Sequence, residues 1–308
     1  MDNGAYRYSF KGIIIVKVFY SSDFVGSGHS FDTTRKAKWI ADSLVDSPIP
    51  GIELACPNPL TREQVLSVHN DMYVNAVQSG RPQQLAESQG FDWDHGLWPM
   101  VLASNGGAVA AALTALEEGV AGSLSSGLHH AKYASGSGFC TFNGLAISAK
   151  ASLDAGAKSV LILDLDAHCG GGTASLIAGD ERIRQCDISV DSFDRYMSSE
   201  QSQLEIIRSA DDYLPAIRRA LDEAITRWGN FDLCIYNAGM DPSELCSTGG
   251  LAGISKEILA ERERMVFQWC REYKMPIAFV MAGGYIGSRL DISGLVDLHR
   301  LTLDSASV

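Results

Sequence analysis

The stretch LDLDAHCGGG (163–172) directly follows the apolar run from Ser159 to Leu163. In a strand, residues i and i+2 face the same side, so Asp166 and His168 can reach one ion. Asp and Gly at a strand end also make ordinary turns, so the pair alone leaves both readings open. Asp164 extends the same face by one step. A buried carboxylate needs a partner, and orienting a histidine or holding a monovalent cation would supply one. Asp241, in NAGMDP (237–242), follows a second apolar run, Leu233 to Tyr236. Two oxygen ligands and one nitrogen ligand make a three-residue zinc site with an open position for water.

Two further stretches complete the set. SSGLHHA (125–131) holds His129 and His130, which offer acid and base groups. Adjacent side chains diverge unless the backbone is irregular, and Gly127 allows that irregularity. MAGGY (281–285) ends in Tyr285, a hydrogen-bond donor or a packed aromatic; its glycines let the backbone approach a site closely. Together the residues point to metal-assisted hydrolysis of an amide or a similar carbonyl.

The chain has 308 residues, 46% hydrophobic and 20% charged, enough for a sizeable core and unlike a disordered chain. Its 25 basic and 37 acidic residues give a net charge of −12. That argues against a broad phosphate-binding face, so direct nucleic-acid binding is not expected. The negative field suits cationic substrates. The seven cysteines are scattered and form no Cys-x-x-Cys, which fits a reduced, intracellular setting rather than a disulfide framework. The run Ile13–Val16 is short and precedes Lys17, unlike a signal peptide. No stretch approaches the roughly 20 apolar residues of a membrane span. We therefore expect a cytoplasmic protein with no membrane partner; oligomeric state is not legible.

Strands are expected at 11–20, 159–165, 186–191, 231–237 and 276–281. Helices are expected at 34–44, 60–78 (one or two, with a Thr61-x-x-Gln64 capping box), 103–118, 142–155, 209–228 and 255–273. From residue 140 onward strands and helices mostly alternate, the signature of a parallel sheet covered on both faces. Ligands in such sheets sit beyond the carboxyl ends of the strands. Asp164, Asp166, His168, Asp241 and Tyr285 all fall there.

In order and spacing, these motifs resemble those of the histone deacetylase superfamily, which includes acetylpolyamine amidohydrolases and acetoin-utilisation proteins. SGLHHA before Gly138-Phe139-Cys140 and Asn143 looks like the family's first motif. His69 to Tyr73 looks like its His-x-x-x-Tyr helix, and Gly28-His29 with Arg35 like its early His-Pro…Arg segment. The resemblance implies one deacetylase-like catalytic domain over 1–308. Its fold would be the arginase/deacetylase α/β fold, a mostly parallel sheet of about eight strands with helices on both faces. It also implies Zn²⁺, or Fe²⁺ in the cell, on Asp166, His168 and Asp241. His130 would act as general base and then acid. His129, paired with Asp164, would stay protonated, and Tyr285 would donate to the oxyanion. Gly138, Phe139, Thr248 and the rim residue Asp92 would contact an acetyl-lysine-type or small-molecule amide. K⁺ or Na⁺ would sit among Asp164, Asp166, His168, Ser189 and Val190.

The sequence departs from the family pattern in four places. Cys169 replaces a histidine. Gly171 replaces an Asn or Asp, so His130 is expected to lack its orienting side chain and Gly171→Asn to raise activity. Ser247-Thr248 replaces Pro-Leu. A short segment, Ser192 to Arg208, replaces the long aromatic Phe-Pro-Gly loop, and a wider or more polar pocket is expected. Two rivals are a two-manganese ureohydrolase, which needs further Asp and His ligands, and a catalytically weak acyl-ligand binder or regulatory homologue.

Overall fold

Alternating strands and helices run the length of the described chain, which in this computed structural model comprises residues 15–28 and 31–308. A 3₁₀ turn, Ser22–Val25, follows the first strand. The elements are β1 (Val16–Phe19), α1 (Asp32–Asp46), β2 (Ile52–Ala55), α2 (Arg62–Leu66), α3 (Asp71–Ser79), α4 (Gln83–Ala86), α5 (Leu97–Glu118), β3 (Val120–Ser123), α6 (Gly144–Asp154), β4 (Val160–Asp164), α7 (Gly171–Ile177), β5 (Ile183–Ser189), β6 (Ser202–Ile206), α8 (Ala210–Trp228), β7 (Leu233–Ala238), α9 (Lys256–Glu272), β8 (Ile277–Met281) and α10 (Ile292–Ala306). The Thr61–Gln64 capping box forms, and the expected 60–78 region is two helices, the second capped by the Asn70 side chain. Residues 11–14 of the expected first strand and His29 lie outside the described residues.

The eight strands form one sheet in the order β2-β1-β3-β8-β7-β4-β5-β6, and every pairing is parallel. Burial on both faces follows from the alternation within each strand. Leu161, Leu163, Tyr236, Phe279 and Met281 pack on one side, against residues of α1, α8, α9 and α10. Val160, Ile162, Leu233, Ile235 and Val280 pack on the other, against the alanines of α5 and against α6. By length and composition alone α5 could cross a membrane, which the apolar-run count overlooked; 67% of its most apolar window is buried, as in a core helix.

The strand order places the functional loops. After β4 the chain winds outward through β5 and β6, then returns to β7 on the other side of β4 and continues to β8. The carboxyl ends of β4 and β7 are thus adjacent where the winding reverses, with Asp164 paired to Asn237. That reversal opens a crevice between the outgoing loops.

A fully buried ion pair lies beneath the crevice. Arg262 Nε donates to Glu263 Oε1 at 2.8 Å, and its Nη1 donates to the Leu165 carbonyl at 3.3 Å and to the Tyr213 hydroxyl at 3.0 Å. The Tyr236 hydroxyl donates to the same Glu263 oxygen at 2.7 Å. Arg262 therefore supports the backbone between Asp164 and Asp166. Removing one partner leaves an uncompensated buried charge, so Glu263→Ala should destabilise the fold by about 3–5 kcal/mol. A urea midpoint equal to the parent's would show that the pair is not holding this loop.

Candidate functional site

Asp166, His168 and Asp241 converge as expected. Their ligand atoms lie within 4.8 Å of one another, all buried. Asp166 Oδ2 accepts from the Gly283 N–H at 2.7 Å, and Asp241 Oδ1 accepts from the Ala167 N–H at 3.0 Å. Gly283 is required: a Cβ there would lie 2.0 Å from Asp241 Oδ2. His168 Nδ1 is 3.1 Å from both Asp166 Oδ1 and Asp241 Oδ2. Burial opposes charge on His168, but the two carboxylates outweigh it and raise its pKa to about 11. Asp241 Oδ2 makes no hydrogen bond. An orphaned carboxylate oxygen beside a histidine nitrogen and a second carboxylate is a donor set that fits a zinc-type cation.

His129 and His130 face this centre with ring centroids 4.0 Å apart. The backbone irregularity that aligns them lies at Leu128 (φ 53°), not at Gly127. His129 Nδ1 is 2.8 Å from Asp164 Oδ2, and Asn237 donates to the other oxygen of that carboxylate at 2.8 Å. Burial again works against charge, but Asp164 and Asp166 raise His129 to about 10. His130 goes the other way: burial, then the charge of His129, lower it to about 4. At neutral pH the pair thus consists of one cationic and one neutral imidazole.

The expectation that His130 lacks an orienting side chain is overturned. Its Nδ1 lies 3.2 Å from Asp194 Oδ2. A Cβ at Gly171 would lie 2.2 Å from the Asp194 carbonyl oxygen, so Gly171→Asn would displace this partner rather than supply one.

Beside the Asp166, His168 and Asp241 group, sharing His168 with it, opens a cavity of about 260 Å³, lined by His130, His168, Gly138, Phe139, Thr248 and Tyr285, and also by Phe31, Asp191 and Phe193. The more polar pocket expected as one alternative is not what forms: aromatic rings make up much of the wall. Phe193, from the short segment, sets its ring 4.9 Å from His130, and Phe31 packs 4.6 Å from Phe139 and 5.3 Å from Tyr285. Thr248 and Asp191 are polar exceptions. Asp92 is exposed and does not line the cavity, although its neighbour Phe91 packs 5.1 Å from Phe139. Burial, with Asp241 and Asp166 nearby, raises the Tyr285 hydroxyl well above its ordinary value, so it is a protonated donor.

At the inner end of the crevice, Ser189 Oγ donates to Asp187 at 2.5 Å, and the Val190 N–H bonds the Ala167 carbonyl at 2.9 Å. Burial and the charge of Asp164 raise Asp187 to about 8. The sequence reading missed Asp187, although the same i, i+2 rule that joined Asp164 to Asp166 joins it to Ser189. Arg35 is exposed and pairs with Asp32 at 3.5 Å, while its neighbour Lys36 is buried. Burial lowers Lys36 to about 8, against the pull of Asp166 and Asp241. Cys169 is buried with its Sγ 3.3 Å from the Asp191 carbonyl, and burial raises its thiol to about 12, which makes it a poor nucleophile.

Comparison with known proteins identifies the family and the fold. The histone deacetylase domain family profile matches residues 29–293. An uncharacterised protein of Picosynechococcus sp. is 33% identical over 84% of this chain and 86% of its own length. Histone deacetylase 2 of Arabidopsis thaliana is 28% identical over 89% of this chain and 75% of its own length. In structure, acetylpolyamine aminohydrolase of Burkholderia pseudomallei superposes with a TM-score of 0.78 at 17% identity, over 94% of this chain and 98% of that one. The HDA15 HD domain superposes with a TM-score of 0.77 at 18% identity, over 96% and 91%. This chain belongs to the histone deacetylase family.

Proposed function

We propose that this chain is a zinc-dependent deacetylase that hydrolyses a linear N-acetyl or related acyl amide. The observation that carries the reading is the convergence of Asp166, His168 and Asp241 beside a cavity whose lining includes His168, His130 and Tyr285, with His129 packed on His130. Zinc held by Asp166, His168 and Asp241 would polarise the acyl oxygen and lower the pKa of a water to about 7. The other roles belong to the chain. Neutral His130 accepts the water's proton at Nε2 and returns it to the leaving amine. Cationic His129, held by Asp164, stabilises the negative charge that develops. Tyr285 donates its hydroxyl proton in a hydrogen bond to the acyl oxygen as that oxygen becomes anionic.

Phe31, Phe139 and Phe193 give the cavity apolar walls against which an alkyl stem could pack. That shape fits an acetyl-lysine-like side chain or the amide of a small alkylamine. The net charge of −12 favours a substrate that is cationic elsewhere. We assign Asp164, Asp166, His168, Ser189 and Val190 to a structural K⁺ or Na⁺ site. The extra buried carboxylate of Asp187 beside Ser189 supports a cation there.

Amine release from acetyl-lysine peptides, acetylpolyamines, and N-acetylated amino acids and sugars tests the reading. Tyr285→Phe should lower kcat by about 10²–10³ while retaining zinc; undiminished turnover would mean the oxyanion donor is misassigned. His168→Ala should abolish stoichiometric zinc, and metal analysis showing full occupancy would refute the ligand set. Zinc binding without turnover of any compound would favour an acyl-ligand-binding homologue.

A further inference from the structure

The short segment after β5 holds a carboxylate in the place that Gly171 leaves vacant. Asp194 Oδ2 lies 3.2 Å from His130 Nδ1 and accepts from the Gly172 N–H at 2.9 Å. Its Oδ1 lies 3.1 Å from Lys132 Nζ. The Asp194 side chain is 8% exposed, whereas that of Lys132 is 47% exposed, so the lysine covers the carboxylate from the solvent side. Asp194 adopts φ 56°, a left-handed conformation unusual for a non-glycine residue. Such a conformation persists where surrounding contacts determine it. Here they include the Cys169 N–H on the Phe193 carbonyl at 3.0 Å and the Phe193 N–H on Asp191 Oδ1 at 2.7 Å.

Resting on the deacetylase reading above, we propose that Asp194 is the positioning residue of His130, reaching it from the segment that forms the pocket wall, and that Gly171 is the space this arrangement requires. An ionised carboxylate only accepts hydrogen bonds. His130 Nδ1 must then carry the proton, which leaves the Nε2 lone pair for the cavity. Any side chain at 171 competes with Asp194 for the same volume: its Cβ would lie 2.2 Å from the Asp194 carbonyl oxygen and 2.8 Å from Oδ1. The orienter is therefore exclusive with one on the metal-binding loop.

The test pairs kinetics of the zinc-loaded full chain with the ring-nitrogen NMR signals of His130 in metal-free protein. Asp194→Ala should lower kcat by about 10–100-fold, with KM and bound zinc unchanged, and should convert a single Nδ1–H tautomer into a mixture. Asp194→Asn keeps an acceptor oxygen and should recover most of the turnover and the single tautomer. Gly171→Ala should reproduce the Asp194→Ala phenotype. Unchanged kcat and tautomer in Asp194→Ala would overturn the proposal. So would a loss in Asp194→Ala that Asp194→Asn does not recover, because that pattern reports charge or folding rather than orientation. If the parent turns over no acetylated compound and the tautomers still respond as described, the positioning role stands and the deacetylase reading fails.

Discussion

Four carboxylates, from Asp164, Asp166, Asp187 and Asp241, are buried together at and beyond the carboxyl-terminal parts of β4, β5 and β7. Isolated negative charge at such depth is strongly unfavourable, so each group must meet a donor or a cation. Much of the surrounding structure supplies those partners. His129 stands between Asp164 and Asp166, 2.8 Å from one and 3.5 Å from the other. Backbone N–H groups of Ala167, Gly170 and Gly283 each bond one carboxylate. Asp187 meets the need by holding a proton more tightly, or a cation in its place. The least satisfied atom is Asp241 Oδ2, which has no hydrogen bond beyond its 3.1 Å contact with His168 Nδ1.

The topology explains why so much charge accumulates at one place. The winding reverses between β4 and β7, so their loops leave in opposite directions and open a crevice rather than closing over it. Loops from β3 and β8 border the same opening and deliver His129, His130 and Tyr285. Arg262 braces the crevice from below through the Leu165 carbonyl, linking the helical layer to the ligand loop without entering the site. The chemistry is concentrated above the sheet, and the rigidity it needs comes from below.

The central strands and the Asp166–His168 part of the candidate metal group were legible because both express period-two geometry: apolar runs for strands buried on both faces, and alternating Asp and His beyond them. The edge strands β2 and β6, and β3 between β1 and β8, were not. β3 reads Val-Ala-Gly-Ser, with a single β-branched residue, and β6 reads Ser-Gln-Leu-Glu-Ile, with polar residues through most of its length. Such strands form because a neighbour offers hydrogen bonds, not because their own residues prefer extension. α10 carries a glycine in its first turn, which weakens its helical pattern. At the site, the ligands, the histidine pair and Tyr285 share local motifs. Phe31, Lys36, Phe193 and Asp194 have no motif, and each reaches the centre from a segment whose path only tertiary structure defines. Asp194 was invisible for a further reason: its left-handed backbone sits in a stretch with no glycine to announce a turn.

Cys169, Gly171 and the shortened segment, which look like three separate departures in the sequence, have one physical origin. Phe193 forms a wall of the cavity and Asp194 orients His130, so successive residues of one segment perform tasks that the family motif assigns to different loops. For both to reach, the segment must descend onto the metal-binding loop. It does so at Cys169, whose N–H bonds the Phe193 carbonyl and whose thiol lies against the Asp191 carbonyl. It does so again at Gly171, where even a methyl group would strike Asp194. An imidazole at 169 or an amide at 171 would lift the segment away, removing the orienter and the aromatic wall together. The small residues are therefore a condition of the short segment, and the histidine they leave without its usual neighbour is the one the segment supports.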